Sequence, residues 1–353
     1  AAARADVLTA SARIERANEL AGPDVKAERA KLLDSSNSLL VASTKIFADA
    51  RLPIDQVAAL TFQGVGQWAA QNADEARTTF VAAVAIARAS NDAFSEARAL
   101  GNLAWLDYER ADIRSAADEY SRLLDLIEKE RQPDLYASTL GNYANCLTML
   151  GDFERALQLH TEALQLFVSR GDEALRAGEL LSIGSLQLRM GNSKRALETL
   201  ETSLPLLRAA KHQSGIDSAL ASAGSAAGVL GDHQRALRFH QELLDRSRNP
   251  RMTALARVLM AGDLRELKKY GRAASELKLA LAGATELTRA NALVESGKLG
   301  LARRELRAAA DDLLAADRLY ADLGLDFPRI AANTALARVR LTAGDRNETL
   351  AAA

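Results

Sequence analysis

The sequence has few of the residues that cross-link a chain or break its regular structure. Its 353 residues include one cysteine, six prolines and 21 glycines, and only 5% are aromatic. The single cysteine, Cys146, excludes an internal disulfide framework, and no spacing of cysteine and histidine is typical of a zinc site. Because 48% of the residues are nevertheless hydrophobic, the core must be built mainly from alanine and aliphatic side chains.

An excess of charge is also missing. The chain has 45 basic and 46 acidic residues, so its net charge is -1. No overall field would attract a phosphate backbone, and we predict no nucleic-acid partner.

No apolar run approaches the ~18 residues of a membrane span, so we predict no membrane insertion. The N-terminus has neither an initiator Met nor the pattern of a signal peptide. We expect a cytoplasmic location and a segment of a longer protein.

Internal repeats organise most of the chain. Five segments, among them GDFERALQLHTEAL and GDHQRALRFHQELL, align at a constant step of about 40 residues. Two less regular units follow, the first after a shorter step and the second after a longer one. A second small residue precedes the equivalent alanine by twelve positions in most units. The equivalent alanines are Ala76, Ala116, Ala156, Ala196, Ala236, Ala273 and Ala316. Such a long, regular period predicts a repeat architecture.

Each repeat has a turn pattern between two helical stretches. In pairs such as Gly151-Asp152, Gly191-Asn192 and Gly231-Asp232, Gly can adopt a positive φ and end one helix, while Asp or Asn caps the next. After the alanine, apolar residues follow at steps of four and three, which is one helix face. We therefore predict helix, short turn and helix in each repeat. Residues 1–56 lack the pattern and are predicted to be an N-terminal helical cap, followed by repeats over 57–350 with a partial unit from Arg329.

Two stretches, LGNLAWLDYERADIRSAADEY and LGNYANCLTMLGDFERALQLHTEAL, carry the repeat pattern best. They resemble the tetratricopeptide repeat, in a long-loop form of about 40 residues instead of ~34. The resemblance covers residues 57–350. It implies an all-α fold, a right-handed superhelical solenoid of about seven helix-turn-helix repeats, with a concave groove lined by the first helices. It also implies a bacterial, non-catalytic scaffold for protein or peptide partners.

Candidate catalytic residues are explained by packing. His160 and His240 occupy the bulky core position that Phe or Tyr fills elsewhere, so we predict that both are buried. Cys146 and His160 lie on one hairpin and allow a Cys-His contact, but a buried, inert thiol is the preferred interpretation. His212 and His233 have no partner at metal-ligand spacing. We predict no enzyme activity, no catalytic residues, no metal and no cofactor.

The first helices carry the candidate binding residues. Asn102 and Asn142 are equivalent, and Asn145 lies one turn beyond. They resemble the asparagine ladder of long-loop repeats, which implies amides that pair with the main chain of an extended peptide. Helical spacing adds Arg98, Trp105, Tyr108, Met149 and Arg189. The alternative is that Asn bonds within the scaffold and that Trp105 packs against the repeat that holds Trp68.

Two other hypotheses concern the chain as a whole. Long-loop repeats of this kind are often the sensory arm of a larger protein, so the chain is alternatively a regulatory segment next to a caspase-like CHAT protease domain or an AfsR/MalT-like regulator. Self-association through the terminal repeats is compatible with both functions.

Overall fold

The computed structural model describes residues 1–20, 22, 25–282 and 284–344, apart from the side chain of Phe327. All regular secondary structure in these residues is helical, and the chain divides into two compact units at Gly171 and Asp172. The first unit contains α1 (Ala2–Glu19), α2 (Lys26–Asp49), α3 (Pro53–Ala69), α4 (Ala73–Ala89), α5 (Ala93–Glu109), α6 (Ile113–Leu126), α7 (Pro133–Leu150) and α8 (Phe153–Arg170). The second contains α9 (Glu173–Arg189), α10 (Ser193–Ala209), α11 (Gln213–Val229), α12 (His233–Arg246), α13 (Pro250–Glu266), α14 (Tyr270–Leu281), α15 (Glu286–Ala302), α16 (Leu306–Asp322) and α17 (Asp326–Ala343).

Consecutive helices pack in pairs. In the first unit α1 packs on α2, α3 on α4, α5 on α6 and α7 on α8. In the second unit the pairs run from α9 with α10 to α15 with α16, and α17 packs on α16. The second helices α4, α6, α8, α10 and α12 recur at a constant interval, since they begin at Ala73, Ile113, Phe153, Ser193 and His233. The predicted all-α helical-repeat class is therefore confirmed.

Small residues bring the two helices of a hairpin close together. A Cβ atom at Gly64 would lie 2.5 Å from Cε1 of Phe80, and one at Gly184 would lie 2.6 Å from Cγ of Leu200. Real Cβ atoms do not approach that closely, so only glycine fits at this spacing. Phe80 and Leu200 are themselves buried. The predicted close approach between small and bulky positions is confirmed.

Two of the three turn pairs behave as predicted. Gly151 has a φ of 88°, and the carboxylate of Asp152 accepts a hydrogen bond from the backbone N–H of Arg155 at 3.3 Å. The turn at Gly231 and Asp232 has the same two features. A positive φ is nearly free of strain for glycine, and a capped N–H is one fewer unsatisfied donor.

Other turns lack either the glycine or the side-chain cap. Gly191 has a φ of 81°, but the Asn192 side chain makes no capping hydrogen bond, so the cap predicted there is wrong. The turns before α14 and α16 have no glycine. Lys268 and Arg304 adopt the left-handed conformation there, with φ of 58° and 62°. The same turn is thus formed at some cost in strain, which stacking of the hairpins must offset.

The last hairpin has a different register from the predicted one. A Cβ atom at Gly297 would lie 2.5 Å from Cγ of Leu313, and Leu313 follows Ala309 by four positions. Ala309 is therefore the equivalent alanine, and the assignment to Ala316 is wrong by seven residues. Ala309 and Ala316 lie two turns apart on one buried helix face, which explains why the pattern alone did not separate them.

The N-terminal helices form a compact end of the first unit. Ala10, Ile14 and Leu40 of α1 and α2 are buried together with Ala59 of α3. Helix α3 begins at Pro53, a favourable residue for the first turn of a helix, so it starts within the segment assigned to the cap. Among the described helices, none is long and apolar enough to cross a bilayer.

Candidate functional site

Helix α5 presents one accessible stripe in the first unit. Its opposite side is buried, which leaves Arg98 and Trp105 exposed and Asn102 and Tyr108 half-buried. These four residues follow one another at helical spacing, so they share one face. Trp105 keeps 42% of its surface accessible. A large accessible aromatic residue of this kind is typical of a contact surface.

Aromatic side chains from α3 support this stripe. The rings of Trp68 and Trp105 meet edge to face, with centroids 5.3 Å apart and planes at 87°. The guanidinium of Arg98 lies 6.0 Å from the centroid of the Phe62 ring. An edge-to-face pair fixes the orientation of both indoles. The accessible part of Trp105 is therefore held in one position by the neighbouring hairpin.

A cavity of about 450 Å³ opens beside the indole pair. Its walls combine apolar surface with amide groups and one arginine. The lining residues are Asn18, Arg29, Val65, Trp68, Ala69, Gln71, Phe80, Asn102 and Trp105. A concave site with a few polar groups among aromatic walls is the usual form of a ligand pocket. The structure thus places Asn102 and Trp105 of the predicted site together.

Asn102 is partly engaged within its own helix. Its Nδ2 donates to the backbone oxygen of Arg98 at 2.9 Å. A primary amide has a second N–H and an acceptor oxygen, so part of its hydrogen-bonding capacity remains. Both contacts foreseen as alternatives to ligand binding are present, since Asn102 bonds to the scaffold and Trp105 packs against Trp68. Neither contact closes the cavity.

The α7 residues form a separate group on the same side of their hairpin. Asn142 is exposed, Asn145 is half-buried and Met149 keeps 53% of its surface accessible. Within the described chain, neither amide side chain makes a hydrogen bond, whereas Thr148 on the same helix donates to Ala144 O at 2.9 Å. Free amides have donors and acceptors to offer to a ligand. None of these three residues lines the cavity beside Trp105.

The remaining predicted residues are less suited to ligand contact. Tyr108 is half-buried, and this burial, with a smaller contribution from nearby Cys146, raises the pKa of its hydroxyl. Arg189 belongs to the second unit, at the exposed end of α9, and is described there by itself. In that unit, serines replace the asparagines, and Oγ of Ser185 lies 3.4 Å from Oγ of Ser222.

Three cavity residues were not identified from the sequence. Asn18 lies at the end of α1, Arg29 on α2 and Gln71 in the turn after α3. The Arg29 side chain donates to the backbone oxygen of Ala69 at 2.7 Å, which ties α2 to the end of α3. Asn18 and Arg29 lie in the segment without a repeat pattern, so an alignment of the repeats has no equivalent positions for them. Only the helical periodicity there indicated that more helices would pack nearby.

The nucleophile candidate is buried. Cys146 has no accessible surface, and burial raises the pKa of its thiol to about 11. The thiol is therefore protonated at neutral pH, and a thiol is a far weaker nucleophile than a thiolate. His160 and His240 are buried as predicted.

His240 is not packed against apolar groups alone. Its Nδ1 lies 2.9 Å from Oδ2 of Asp263, and Nδ1 of His233 lies 3.0 Å from Oδ1 of the same carboxylate. No pattern in the sequence indicated this partner. Among the described residues, no group of three or more His, Cys, Asp or Glu side chains is arranged to hold a metal.

Residues 135–209, which run from α7 to α10, match the family model described as tetratricopeptide repeat. This segment of the chain therefore consists of tetratricopeptide repeats. The chain is 27% identical over 164 residues to tetratricopeptide repeat protein 29 of Trypanosoma brucei brucei, a match that covers 43% of the chain. The match covers 32% of that relative, so the chain spans about a third of the relative's length.

Solved structures share the fold of this chain. The apo form of the quorum sensor NprR from B. thuringiensis has a TM-score of 0.70 at 13% identity, covering 94% of this chain and 97% of that one. A Rap protein complexed with competence and sporulation factor has a TM-score of 0.53 at 13% identity, covering 98% of this chain and 100% of that one. At such identity the likeness shows the fold, and together with the repeat family it supports a protein-interaction scaffold.

Proposed function

We propose that the first unit binds an extended peptide segment along the accessible face of its first helices. Trp105 and Met149 supply apolar contact area there. Asn102, Asn142 and Asn145 supply amides for the peptide main chain. The observation that carries the proposal is the cavity of about 450 Å³, which has Trp105 and Asn102 on its wall. The chain then acts as a binding scaffold and not as a catalyst.

The chemistry of this face favours a peptide over a charged polymer. The polar groups around Trp105 are mostly neutral amides, which pair with main-chain N–H and C=O groups whatever the side-chain sequence. The one arginine of the cavity, Arg29, already bonds to main-chain oxygens of the scaffold. A ligand with alternating donors and acceptors and occasional apolar side chains therefore fits best. Aromatic and Met contacts would then provide selectivity.

The fold relatives support this direction. Their names describe a quorum sensor, NprR, and a Rap protein in complex with competence and sporulation factor. Proteins of this fold can thus recognise a specific factor. For this chain the recognised class is proposed from the amide and aromatic side chains of the first unit.

The test begins with panning of a random-peptide display library on the full chain, followed by titration calorimetry of the selected peptides. We expect the Asn102→Ala/Asn142→Ala variant to bind about thirtyfold more weakly, because two hydrogen bonds of about 1 kcal/mol each are lost. Trp105→Ala should cost at least as much, since a partly buried aromatic anchor contributes about 2 kcal/mol or more.

The matched control is the Thr78→Ala/Thr161→Ala variant. Both threonines are exposed on second helices and donate to carbonyls four residues earlier, at 3.0 Å from Thr78 and 2.7 Å from Thr161. This variant should bind the peptides like the unmodified protein. Equal affinity of the asparagine variant and the threonine variant would contradict the proposed face. Melting temperatures of all variants must agree within a few degrees, so that a loss of binding is not a loss of fold.

A further inference from the structure

The second unit contains a larger cavity, of about 540 Å³, between α13, α15 and α17. We call it the apolar chamber. Most of its wall is aliphatic, and five branched side chains dominate: Leu255, Val258, Leu259, Val294 and Ile330. Ile330 keeps 64% of its surface accessible, so the chamber is open to solvent on the α17 side. Water in contact with so much aliphatic surface is readily displaced by an apolar ligand.

A second cavity of about 520 Å³ adjoins the apolar chamber. Lys298 and Ala331 line both, so the two cavities share part of one wall, and we call the pair the recess. We call the second part the basic chamber, because its wall carries Arg265, Lys298 and Arg338 against the single carboxylate of Glu266. The recess therefore has an aliphatic half and a cationic half. An occupant that complements both halves has an apolar body and an anionic end.

The charges within the recess are unevenly satisfied. Glu295 is held by Lys298 at 2.6 Å and by Arg265 at 3.3 Å. Arg265 also contacts Glu266 at 2.5 Å. Arg338 is exposed and has no ion pair within the described residues. Both carboxylates are thus neutralised internally, while one guanidinium keeps its charge for a ligand. A guanidinium donates two parallel hydrogen bonds to a carboxylate, which is its preferred partner.

We propose that this recess binds a small aliphatic carboxylate, with the hydrocarbon body in the apolar chamber and the carboxylate on Arg338. This is a site distinct from the peptide face of the first unit and does not depend on it. A cationic ligand does not fit, since no carboxylate of the recess is free. A bare hydrocarbon leaves the charge of Arg338 unused.

An extended peptide is also a poorer occupant of this recess. The only amide side chain on the apolar chamber's wall is Asn291, and its Oδ1 already accepts from the Tyr320 hydroxyl at 2.6 Å. A peptide main chain would bring several N–H and C=O groups into an aliphatic wall. Unpaired buried polar groups cost about 1–3 kcal/mol each. An aliphatic chain brings none.

The test uses three ligands of equal chain length, titrated into the full chain below their micelle concentrations: decanoate, decanol and decyltrimethylammonium. We expect one decanoate per chain, with at least tenfold weaker binding of the alcohol and the cation. Arg338→Gln should weaken decanoate about tenfold and leave decanol unchanged. Ile330→Gln should weaken both. Equal binding of all three ligands, or no detectable binding of decanoate, would overturn the proposal.

Matched controls separate this site from general hydrophobic adsorption. Arg289→Gln and Leu279→Gln change exposed residues of α15 and α14 that line neither chamber, and both should bind decanoate normally. Loss of binding in either control would overturn the site. The peptide N-acetyl-Ala-Leu-Leu with a free carboxylate provides another arm, and its binding in place of decanoate would overturn the small-molecule assignment. Trp105→Ala should bind decanoate unchanged, so failure of the peptide face and failure of this site are distinguishable.

Discussion

The two units share one way of packing helices but pair their buried carboxylates with different side chains. In the first unit Arg77 of α4 holds Asp107 of α5 through two hydrogen bonds of 2.8 Å, and Glu119 lies buried nearby. In the second unit Asp263 of α13 lies between His233 and His240 of α12. The first cluster, of Arg77, Asp107 and Glu119, therefore has two carboxyl groups and one cation. The second cluster, of Asp263, His233 and His240, has one carboxyl group and two imidazoles.

The difference shows which positions of a hairpin are fixed by the fold. Asp107 and Asp263 both lie on first helices and find their partners on the preceding second helix. The sequence separation from Arg77 to Asp107 is the same as that from His233 to Asp263. The small and bulky core positions are retained around them. The fold thus fixes the packing of alanine, glycine and aliphatic residues, while polar positions vary between hairpins.

We expect the largest loss of stability when Arg77, the cation of the first cluster, is replaced. Arg77→Met leaves Asp107 buried, with no accessible surface, and without its partner. A buried carboxylate without a counter-ion is strongly unfavourable, and we expect a loss of about 3 kcal/mol in the free energy of unfolding. His233→Gln should cost only about 1 kcal/mol, because His240 still bonds to Asp263. Urea unfolding followed by circular dichroism measures both losses, and equal losses would contradict a difference between the two clusters.

The stability of the fold should depend on pH through the buried carboxyl group of Glu119. Burial, reinforced by the charge of Asp107, raises the pKa of Glu119 from 4.5 to about 8, although Arg77 opposes the shift. The folded state then binds more protons than the unfolded state between these values, so stability falls as the pH rises between them and levels off above the higher one. Between pH 6 and pH 8 the expected loss is about 2 kcal/mol, within the bound of ~1.4 kcal/mol for each unit.

The Glu119→Gln variant should lack this fall in stability. Its free energy of unfolding should stay nearly level between pH 6 and pH 8. Glu75→Gln, at an exposed position on α4, is the control and should follow the unmodified protein. If Glu119→Gln shows the same pH slope as this control, the buried carboxyl is not its source.

The smallest effect tests what the two units have in common. Gly64→Ala in the first unit and Gly184→Ala in the second should each lose about 1.5 kcal/mol, because the added methyl group clashes with a buried side chain. Gly178 lies on the same helix as Gly184, and a Cβ there meets nothing within 4 Å. Gly178→Ala should therefore gain up to about 1 kcal/mol. Thermal unfolding of the three variants measures these changes. A loss of stability in only one of Gly64→Ala and Gly184→Ala would contradict a packing shared by the two units.

The hairpins were predicted well where each local pattern had one interpretation. The constant step between repeats, the Gly151-Asp152 turn and the burial of His160 and His240 all follow from residue type and spacing. The last hairpin was assigned to the wrong alanine because Ala309 and Ala316 are both buried on one helix face and were equally good anchors. The missing turn glycine does not explain the error, since Ala111 forms the equivalent turn in a hairpin that was assigned correctly.

The candidate site could be predicted only in part, because a cavity depends on elements distant in sequence. Asn102 and Trp105 were identified from repeat positions. Asn18 and Arg29 come from helices that share no pattern with the repeats, and the pairing of Trp68 with Trp105 needs the distance between two hairpins. Asp263 as the partner of two histidines likewise depends on tertiary packing. That the chain is a regulatory arm of a larger protein, and that it self-associates through its terminal repeats, are still predictions from the sequence.

Hydrogen exchange of the full chain, with and without a peptide selected by panning, shows whether the first helices of the first unit hold the ligand. Amide protection reports which helices the ligand covers, without any substitution. We expect slower exchange in α5 and α7 of the first unit when the peptide is bound, and no change in α13, α15 and α17. Protection confined to the second helices α4, α6 and α8, or to the second unit, would contradict it.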